Sequence, residues 1–286
     1  MFFKKILFLC IVLFYMPFSA LAETDKDKVA LVTGASRGIG KALSEELLKE
    51  GWIVYGTGRN LADLKNIQKQ YPKFYPIQAD FTSNRDIENI AKVIKNSPYK
   101  LKLLVQNAGM KSPPRALSQY SPEQIDEVMS VNLLTPMKLS ALLSGHMQAE
   151  SRILFVTSRA ATLRLKESST YCASKAALNE VAAILRQELE PQRIAVQAVI
   201  PGEVDTHIQK VLRETKTFHL HKAFIQAYEK GGLISPEICA SFLKWLLVDM
   251  PFEDYAKGEL PVSIYDEWHH HFWLKDQKDL PPFPFE

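Results

Sequence analysis

The regular alternation of short apolar segments with helix-like segments between residues 28 and 266 constrains the fold of this chain more than any other feature. The apolar segments have the length and composition of buried parallel strands. They span residues 28–34, 52–58, 74–80, 101–109, 152–158, 194–202 and 260–266. Helix-like segments connect most of them, at residues 41–51, 82–97, 121–147, 169–190 and 236–248. This pattern predicts a single α/β domain with a three-layer, doubly wound parallel sheet of the Rossmann type.

A doubly wound sheet binds its ligands at the carboxyl ends of its strands, which directs attention to the loop after the first strand. That loop reads TGASRGIG and carries three glycines between a strand and a helix. Glycines permit a tight turn and let the backbone and the helix N-terminus approach a pyrophosphate closely. The sequence therefore predicts a dinucleotide site here. The predicted phosphate-binding residues are Gly34, Ser36, Arg37, Gly38, Ile39 and Gly40.

The end of the second strand indicates which dinucleotide is bound. An enzyme that prefers NAD usually has an acidic residue here to hold the ribose 2′-hydroxyl, but this sequence has Thr57, Gly58 and Arg59. Arg59 and Arg37 of the glycine loop together suit a 2′-phosphate, because guanidinium groups bind phosphate oxygens through paired hydrogen bonds. NADP (NADPH) is therefore favoured over NAD. The alternative is that both are ordinary surface arginines.

The segment YCASK places Tyr171 and Lys175 one turn apart on one face of a predicted helix. An ammonium group beside a phenol stabilises the phenolate, so the pKa of Tyr171 is expected to lie below the ordinary value of about 10. Tyr171 would then serve as a general acid and base, and Ser158, at the end of the fifth strand, would hold a substrate oxygen beside it. The plainer alternative for this pair is a solvated helix face with a half-buried ring.

The motifs, taken in their order and spacing, resemble those of the short-chain dehydrogenase/reductase superfamily. The matching positions span residues 28 to about 264. They are Thr33-Gly34-xxx-Gly38-x-Gly40, Asp80, Asn107-Ala108-Gly109, Asn132, Ser158, Tyr171-xxx-Lys175 and Pro201-Gly202-xxx-Thr206. One departure is Gln106, where the family more often has a second asparagine before Asn-Ala-Gly.

The resemblance implies a role for each matched residue. Tyr171 would be the acid/base on the substrate oxygen, Lys175 would hold the nicotinamide ribose, and Ser158 would orient the substrate. Asn132 would hold a water molecule that connects Lys175 to solvent. The other implied cofactor contacts are Asp80 and Phe81 at the adenine, Asn107, Ala108 and Gly109 at the adenine ribose, and Pro201, Gly202, Val204 and Thr206 at the nicotinamide.

The resemblance also implies an activity. It predicts an NADP(H)-dependent oxidoreductase that transfers hydride between the nicotinamide and a small-molecule carbonyl or secondary alcohol. A non-catalytic NADP-binding sensor or scaffold with the same fold is the alternative. A homo-oligomer, either a dimer or a tetramer, is expected because family members commonly form one. The net charge of +3 gives no support to a nucleic-acid partner, and none is expected.

Residues 1–22 read as a leader that precedes a catalytic domain at 23–264. Lys4 and Lys5 come before an apolar run, and Ala20-Leu21-Ala22 has the small-x-small form of a cleavage site. Either a cleaved signal peptide or an uncleaved N-terminal membrane anchor fits this pattern. We therefore expect an exported or membrane-associated protein.

Two segments near the C-terminus carry no recognisable motif. Residues 207–232 fall where the family places its substrate-binding segment, and their apolar side chains form either a lid or an ordinary amphipathic helix pair. The tail 265–286 contains His269, His270 and His271, but adjacent side chains diverge on a regular backbone, so no metal site is expected. The aromatic residues of the tail are expected to pack against the domain or another subunit.

Overall fold

The computed structural model describes residues 28–276 and 280–284, and it contains a seven-stranded parallel sheet. The strands are β1 (Val29–Val32), β2 (Ile53–Gly58), β3 (Phe74–Gln78), β4 (Leu101–Gln106), β5 (Met147–Val156), β6 (Ile194–Ile200) and β7 (Val262–Ser263). Their order across the sheet is β3-β2-β1-β4-β5-β6-β7, and every neighbouring pair is parallel. From β1 the sheet extends to one side through β2 and β3 and to the other side through β4 to β7, as in a doubly wound sheet. The predicted fold class is confirmed.

Helices cover both faces of this sheet. In the part of the chain that the structure describes they are α1 (Gly38–Lys49), α2 (Leu61–Gln70), α3 (Asn84–Lys95), α4 (Pro122–Met129), α5 (Thr135–Leu143), α6 (Ala160–Leu163), α7 (Ser169–Leu189), α8 (His207–Glu214), α9 (His221–Glu229), α10 (Pro236–Lys244), α11 (Phe252–Lys257) and α12 (His270–Trp273). The sequence analysis did not predict α2. This helix begins at a clear cap, because the Asn60 side chain accepts hydrogen bonds from the N–H groups of Ala62 and Asp63 at 3.0 and 3.4 Å.

The core forms two layers because successive residues of a buried strand point to opposite faces of the sheet. In β1, Ala30 and Val32 pack with the layer that contains α1, α2 and α10. Val29 and Leu31 pack with the opposite layer of α3, α5 and α7. All four side chains are buried, which explains why the strands read as continuous apolar runs rather than as an alternation of apolar and polar residues.

The predicted continuous helix at 121–147 is interrupted in the structure. A π-helical turn at Ser130–Leu134 separates α4 from α5, and β5 begins at Met147, earlier than predicted. Pro136 lies at the start of α5 and has no N–H to donate to the carbonyl of Asn132 four residues before it. The regular helical ladder therefore cannot continue through this point, and the interruption falls on Asn132, a predicted functional residue.

The histidines of the tail bond separately to the backbone around β7. The buried ring of His269 donates from Nε2 to the carbonyl of Ser263 at 2.9 Å and accepts from Trp273 Nε1 at 2.8 Å. His270 Nε2 donates to the carbonyl of Ile264 at 2.8 Å. His269 also stacks on Phe242 of α10, with 4.9 Å between ring centroids. These histidines pack the tail against the domain.

The leader predicted for residues 1–22 lies outside the described residues. Within the described ranges, no helix combines the length and the apolar character needed to cross a lipid bilayer.

Candidate functional site

A cavity of about 870 Å³ runs along the carboxyl ends of the strands, on both sides of the point where the sheet order reverses. Most of the residues predicted from the sequence lie in its wall. They are Gly34, Ser36, Arg37, Gly38, Ile39, Arg59, Asp80, Phe81, Asn107, Ala108, Gly109, Ser158, Tyr171, Lys175, Pro201, Gly202, Val204 and Thr206. The two others, Gly40 and Asn132, support this wall from behind.

The N-terminus of α1 faces the cavity, and no side chain of the described residues caps it. Its N-cap residue is Arg37, whose side chain forms no capping hydrogen bond with the described residues, and the first turn holds no acidic residue. Other helices of the domain begin at a side-chain cap, namely α2 at Asn60, α3 at Ser83, α4 at Ser121 and α10 at Ser235. The free N–H groups and the dipole of α1 therefore remain available for an anionic ligand.

Gly40 and Asn107 hold the glycine loop against the neighbouring strand. A Cβ on Gly40 would lie 2.4 Å from the carbonyl oxygen of Gly34 and 2.4 Å from Asn107 Nδ2, so a side chain does not fit. Asn107 Nδ2 donates to the carbonyl of Thr33 at 2.8 Å. Thr33 Oγ1 accepts from the N–H groups of Asn107 and Ala108 at 3.0 Å each. The cradle and its free donors fit the pyrophosphate of a dinucleotide.

A cluster of basic residues lies at one end of the cavity, where Arg37 and Arg59 line the wall with His207 and Lys210. The pKa of His207 lies below its ordinary value, first because of partial burial and then because of the nearby positive charges of Arg37, Lys210 and Arg59. The two arginines predicted to bind a 2′-phosphate are therefore part of a larger positive cluster. Lys210 and His207 were not predicted, because they lie on α8 without a motif.

Asp80 and Phe81 lie beside this end of the cavity and are fixed by hydrogen bonds. Asp80 Oδ1 accepts from the N–H and the hydroxyl of Thr82 at 2.9 and 2.8 Å, and these bonds hold the pKa of the carboxyl below its ordinary value. The carbonyl of Phe81 accepts from Thr135 Oγ1 at 2.8 Å. The predicted contact of both residues with an adenine stays a prediction.

Ser158, Tyr171 and Lys175 meet in the wall on the other side of the glycine loop. The Tyr171 hydroxyl forms a hydrogen bond with Ser158. Lys175 Nζ lies 6.0 Å from the centroid of the Tyr171 ring and donates to the carbonyl of Val156 at 2.8 Å. A strand end and one helix face thus bring together a hydroxyl, a phenol and an ammonium group, which is the set needed to hold and protonate a carbonyl oxygen.

The pKa of Tyr171 differs from the expectation. Burial raises it to about 12, and the hydrogen bond with Ser158 offsets only part of that rise. Burial also lowers the pKa of Lys175 to about 8. Both groups are shielded from water, so the neutral form of each is favoured. For Tyr171, the rise in pKa caused by burial exceeds the predicted lowering of its pKa by the Lys175 ammonium. Tyr171 therefore holds its proton at neutral pH, which is the state that donates to a carbonyl.

Asn132 fixes the loop that follows β4. Its Oδ1 accepts from the N–H of Met110 at 2.8 Å, and its Nδ2 donates to the carbonyl of Met110 at 2.9 Å. The same Nδ2 donates to Ser174 Oγ at 3.1 Å, on the helix that carries Tyr171 and Lys175. The structure therefore shows Asn132 as a positioning residue. Its predicted role in holding a water molecule stays a prediction.

The substrate side of the cavity contains residues that the sequence analysis did not identify. They include Lys111, Leu163, Leu165, Glu203, Gln209, Leu212 and Phe283. Phe283, in the C-terminal tail, lies under the guanidinium of Arg159 at 3.9 Å from its ring centroid and 6.0 Å from the ring centroid of Tyr265. Lys111 and Glu203 lie shortly after the ends of strands, and this position could have identified them from the sequence. The return of the tail to the cavity had no sequence signal.

The segment 207–232 combines the two alternatives left open by its sequence. It forms the helix pair α8 and α9, whose buried residues Leu212, Phe218 and Phe224 make a small apolar cluster of their own. Leu220 and Phe224 also line the cavity, whereas Tyr228 is exposed. The segment is therefore a packed helix pair that supplies one wall of the candidate substrate site.

Comparisons with known proteins agree with this geometry. The family profile described as short chain dehydrogenase matches residues 28–217. A benzil reductase ((S)-benzoin forming) of Saccharomyces cerevisiae is 33% identical over 77% of this chain and 90% of its own length. A solved short chain dehydrogenase/reductase of the same yeast has 26% identity and a TM-score of 0.77, covering 86% of this chain and 99% of that one. A short chain dehydrogenase of Burkholderia cenocepacia in complex with NADP has 25% identity and a TM-score of 0.68, covering 83% and 95%.

These comparisons correct the predicted localisation. The yeast relative is named as a reductase, and 90% of its length is accounted for by the region it shares with this chain. Its name refers to neither export nor a membrane. The prediction of an exported or membrane-associated protein is therefore wrong. It rested on the apolar pattern of residues 1–22 alone.

Proposed function

The chain belongs to the short-chain dehydrogenase family of oxidoreductases, and on that premise we propose that it is an NADP(H)-dependent reductase of carbonyl compounds. The observation that carries this proposal is the convergence of Ser158, Tyr171 and Lys175 on one side of a cavity whose other side is the glycine loop. The cradle fits a dinucleotide, and the polar cluster fits a carbonyl oxygen. Family membership alone would support the fold without supporting catalysis.

In the proposed mechanism, Ser158 and Tyr171 hold the carbonyl oxygen by two hydrogen bonds, and the Tyr171 hydroxyl donates its proton to that oxygen. NADPH, when bound, supplies the hydride to the carbonyl carbon. Lys175 stabilises the phenolate that proton donation leaves on Tyr171, because an ammonium group favours a nearby negative charge. The product is an alcohol, and Tyr171 regains a proton from solvent. Near neutral pH Tyr171 carries the proton that reduction requires, since burial raises its pKa.

The preference for NADP(H) is supported by the basic cluster at the far end of the cavity. Arg37, Arg59, His207 and Lys210 all line that end. An NAD-dependent site would place an acidic side chain at the end of β2, where this chain has Arg59. The Burkholderia cenocepacia relative solved with NADP has the same fold. The nicotinamide end would rest against Pro201, Gly202, Val204 and Thr206.

The alternative of a non-catalytic NADP-binding sensor has less support. A sensor would need the cradle but would not need a buried phenol, a hydroxyl and an ammonium group arranged around one point. Holding Lys175 in this buried position is costly, as its lowered pKa indicates. We therefore favour a reductase whose substrates include ketones of the kind named by its benzil reductase relative.

We further propose the domain limits 23–264 for the catalytic domain, with 207–232 as substrate-binding segment and 265–286 as tail. A homo-oligomer is proposed as well. The exposed apolar side chains of Leu134 at the end of the π-helical turn, Met137 on α5 and Ile184 on α7 are available for a subunit contact. Sedimentation equilibrium of the full-length chain tests this proposal, and a monomer across the micromolar range would refute it.

Titration of the full-length protein with NADPH and with NADH tests the cofactor assignment, with binding followed by energy transfer from tryptophan to the reduced nicotinamide. Arg59→Ala is expected to weaken NADPH binding about 10- to 100-fold, because a charge-assisted contact to the 2′-phosphate is lost, and to leave NADH binding unchanged. Arg193→Ala is the matched control, since Arg193 is exposed just before β6, at the opposite end of the strands. Equal weakening for both cofactors, or no NADPH binding, would contradict the assignment.

A further inference from the structure

One charged residue in the cavity wall has no role in the mechanism above. Lys111 follows β4 and is buried, with 8% of its surface exposed. Its position is fixed from behind, because Asn132 hydrogen-bonds both the N–H and the carbonyl of Met110, the preceding residue. The ammonium group therefore sits at a defined place in the cavity rather than on a mobile surface chain.

The ammonium group of Lys111 lies between two aromatic rings. Its Nζ is 5.1 Å from the centroid of the Tyr171 ring and 5.6 Å from that of Phe218. These contacts stabilise the positive charge without using its three N–H donors. Among the described residues, no hydrogen-bond acceptor is recorded for Nζ, and Lys111 lines the cavity. Its donors therefore face the cavity, where water or a ligand supplies the acceptor.

We propose that Lys111 binds a second oxygen of the substrate, next to the carbonyl that Tyr171 protonates, and so selects vicinal diketones and hydroxyketones over simple ketones. This proposal rests on the proposed reductase function. The geometry supports it because Nζ faces the same ring whose hydroxyl receives the reacting oxygen. A substrate with two oxygens on neighbouring carbons can bond to both groups at once, whereas a simple ketone leaves the lysine donors without a substrate acceptor.

The charge of the surrounding wall favours a neutral second oxygen over a carboxylate. Glu203 lies in the same wall; burial raises the pKa of Glu203 and lowers that of Lys111, and the attraction between their opposite charges offsets part of both shifts. Gln209 Nε2 donates to the Glu203 carboxylate and holds it in place. A substrate carboxylate at Lys111 would meet this negative charge. A carbonyl or hydroxyl oxygen would not.

The test compares benzil with deoxybenzoin, which has the same two phenyl rings and one oxygen fewer, in NADPH oxidation by the full-length enzyme. Lys111→Met replaces the ammonium with an apolar chain of similar length. It is expected to lower kcat/KM for benzil about 10- to 100-fold and to change that for deoxybenzoin less than about threefold. For each substrate, kcat/KM of the Lys111→Met variant is divided by kcat/KM of the wild type. This ratio cancels the greater intrinsic reactivity of benzil. Lys216→Met, at an exposed position between α8 and α9, is the matched control.

The outcomes separate the proposal from its premise. If Lys111→Met lowers both rates equally, Lys111 has a structural role and the proposal is wrong. If phenylglyoxylate, whose second oxygens belong to a carboxylate, is reduced better than benzil, the assignment to a neutral oxygen is wrong. If none of these ketones, deoxybenzoin included, is reduced by the wild-type protein, the proposed reductase function itself fails.

A binding measurement on the wild-type protein covers the case in which Lys111→Met does not fold. Benzoin and deoxybenzoin are titrated into the complex of the full-length protein with NADP, and binding is followed by tryptophan fluorescence. Benzoin, which carries the second oxygen, is expected to bind at least about 10-fold more tightly. Equal affinities would overturn the role of Lys111.

Discussion

Replacing Gly40 by alanine tests the close packing behind the phosphate cradle. Gly40 lies in the first turn of α1, where alanine is the better helix former by about 1 kcal/mol, so helix propensity alone predicts a stabilised protein. The structure predicts the opposite. The new Cβ would lie 2.4 Å from the carbonyl oxygen of Gly34 and 2.9 Å from its carbonyl carbon, and these backbone atoms cannot rotate away.

The magnitude follows from the balance of the two effects. Overpacking of this kind costs about 1–3 kcal/mol, against the gain of about 1 kcal/mol from propensity. The net loss of up to about 2 kcal/mol corresponds to a fall in Tm of up to about 8 °C for a domain of this size. The shift of Gly34 also moves the amide groups of the cradle, and we expect NADPH to bind about 100-fold more weakly, which is about 2.7 kcal/mol.

Thermal unfolding and NADPH titration of the full-length protein measure both effects. Gly145→Ala is the matched control, because no described atom beyond its chain neighbours lies within 4 Å of the Cβ it would gain. The control is expected to unfold and bind NADPH as the wild type does. A Gly40→Ala protein that binds NADPH normally and unfolds at the same temperature would refute the close approach of α1 to Gly34.

Three further predictions follow from other parts of the structure. The rate of NADPH-dependent reduction is expected to be constant below about pH 8 and to fall above that pH as Lys175 loses its proton. A rate that rises above about pH 8 would contradict the role of the positive charge on Lys175. Phe283→Ala removes part of the cavity wall and is expected to raise the ratio of kcat/KM for bulky ketones to kcat/KM for small ketones about 10-fold. Phe272→Ala, at an exposed tail position, is the control, and an unchanged ratio in Phe283→Ala would exclude Phe283 from the substrate site. Arg152 donates to the buried carbonyls of Leu246 and Met250 at 3.0 and 2.6 Å, so Arg152→Met is expected to lower the free energy of unfolding by about 2–4 kcal/mol in urea titrations, and a change under about 0.5 kcal/mol would contradict this.

Much of the fold was predictable because a parallel sheet buries both faces of its strands. The central strands then read largely as apolar runs, and all seven strands were found, although β7 covers only Val262–Ser263 of the predicted 260–266. The helix α2 was overlooked even though Asn60, a good cap residue, precedes it. Pro136 was a usable signal that the predicted helix 121–147 is interrupted, but the contacts of Asn132 with Met110 beside the π-helical turn at Ser130–Leu134 have no sequence pattern.

The candidate site was predictable where chemistry requires a particular residue type at a fixed place. Glycines at the loop after β1 and the Tyr171–Lys175 pair on α7 are of this kind. Residues such as Lys111 and Phe283 are not, because they line the substrate half of the cavity, where different side chains serve different substrates. The pKa of Tyr171 was expected in the wrong direction, since the sequence shows the neighbouring lysine and does not show that both groups are buried.

The most direct test of the proposed function compares Tyr171→Phe with the wild type in NADPH binding and in NADPH-dependent reduction of benzil, using the full-length chain. Tyr75→Phe, a half-exposed tyrosine on β3, is the control. We predict that Tyr171→Phe binds NADPH as the wild type does and loses about a thousandfold in kcat, because the phenol is the proton donor. A Tyr171→Phe enzyme that reduces benzil within about threefold of the wild-type rate would contradict the account.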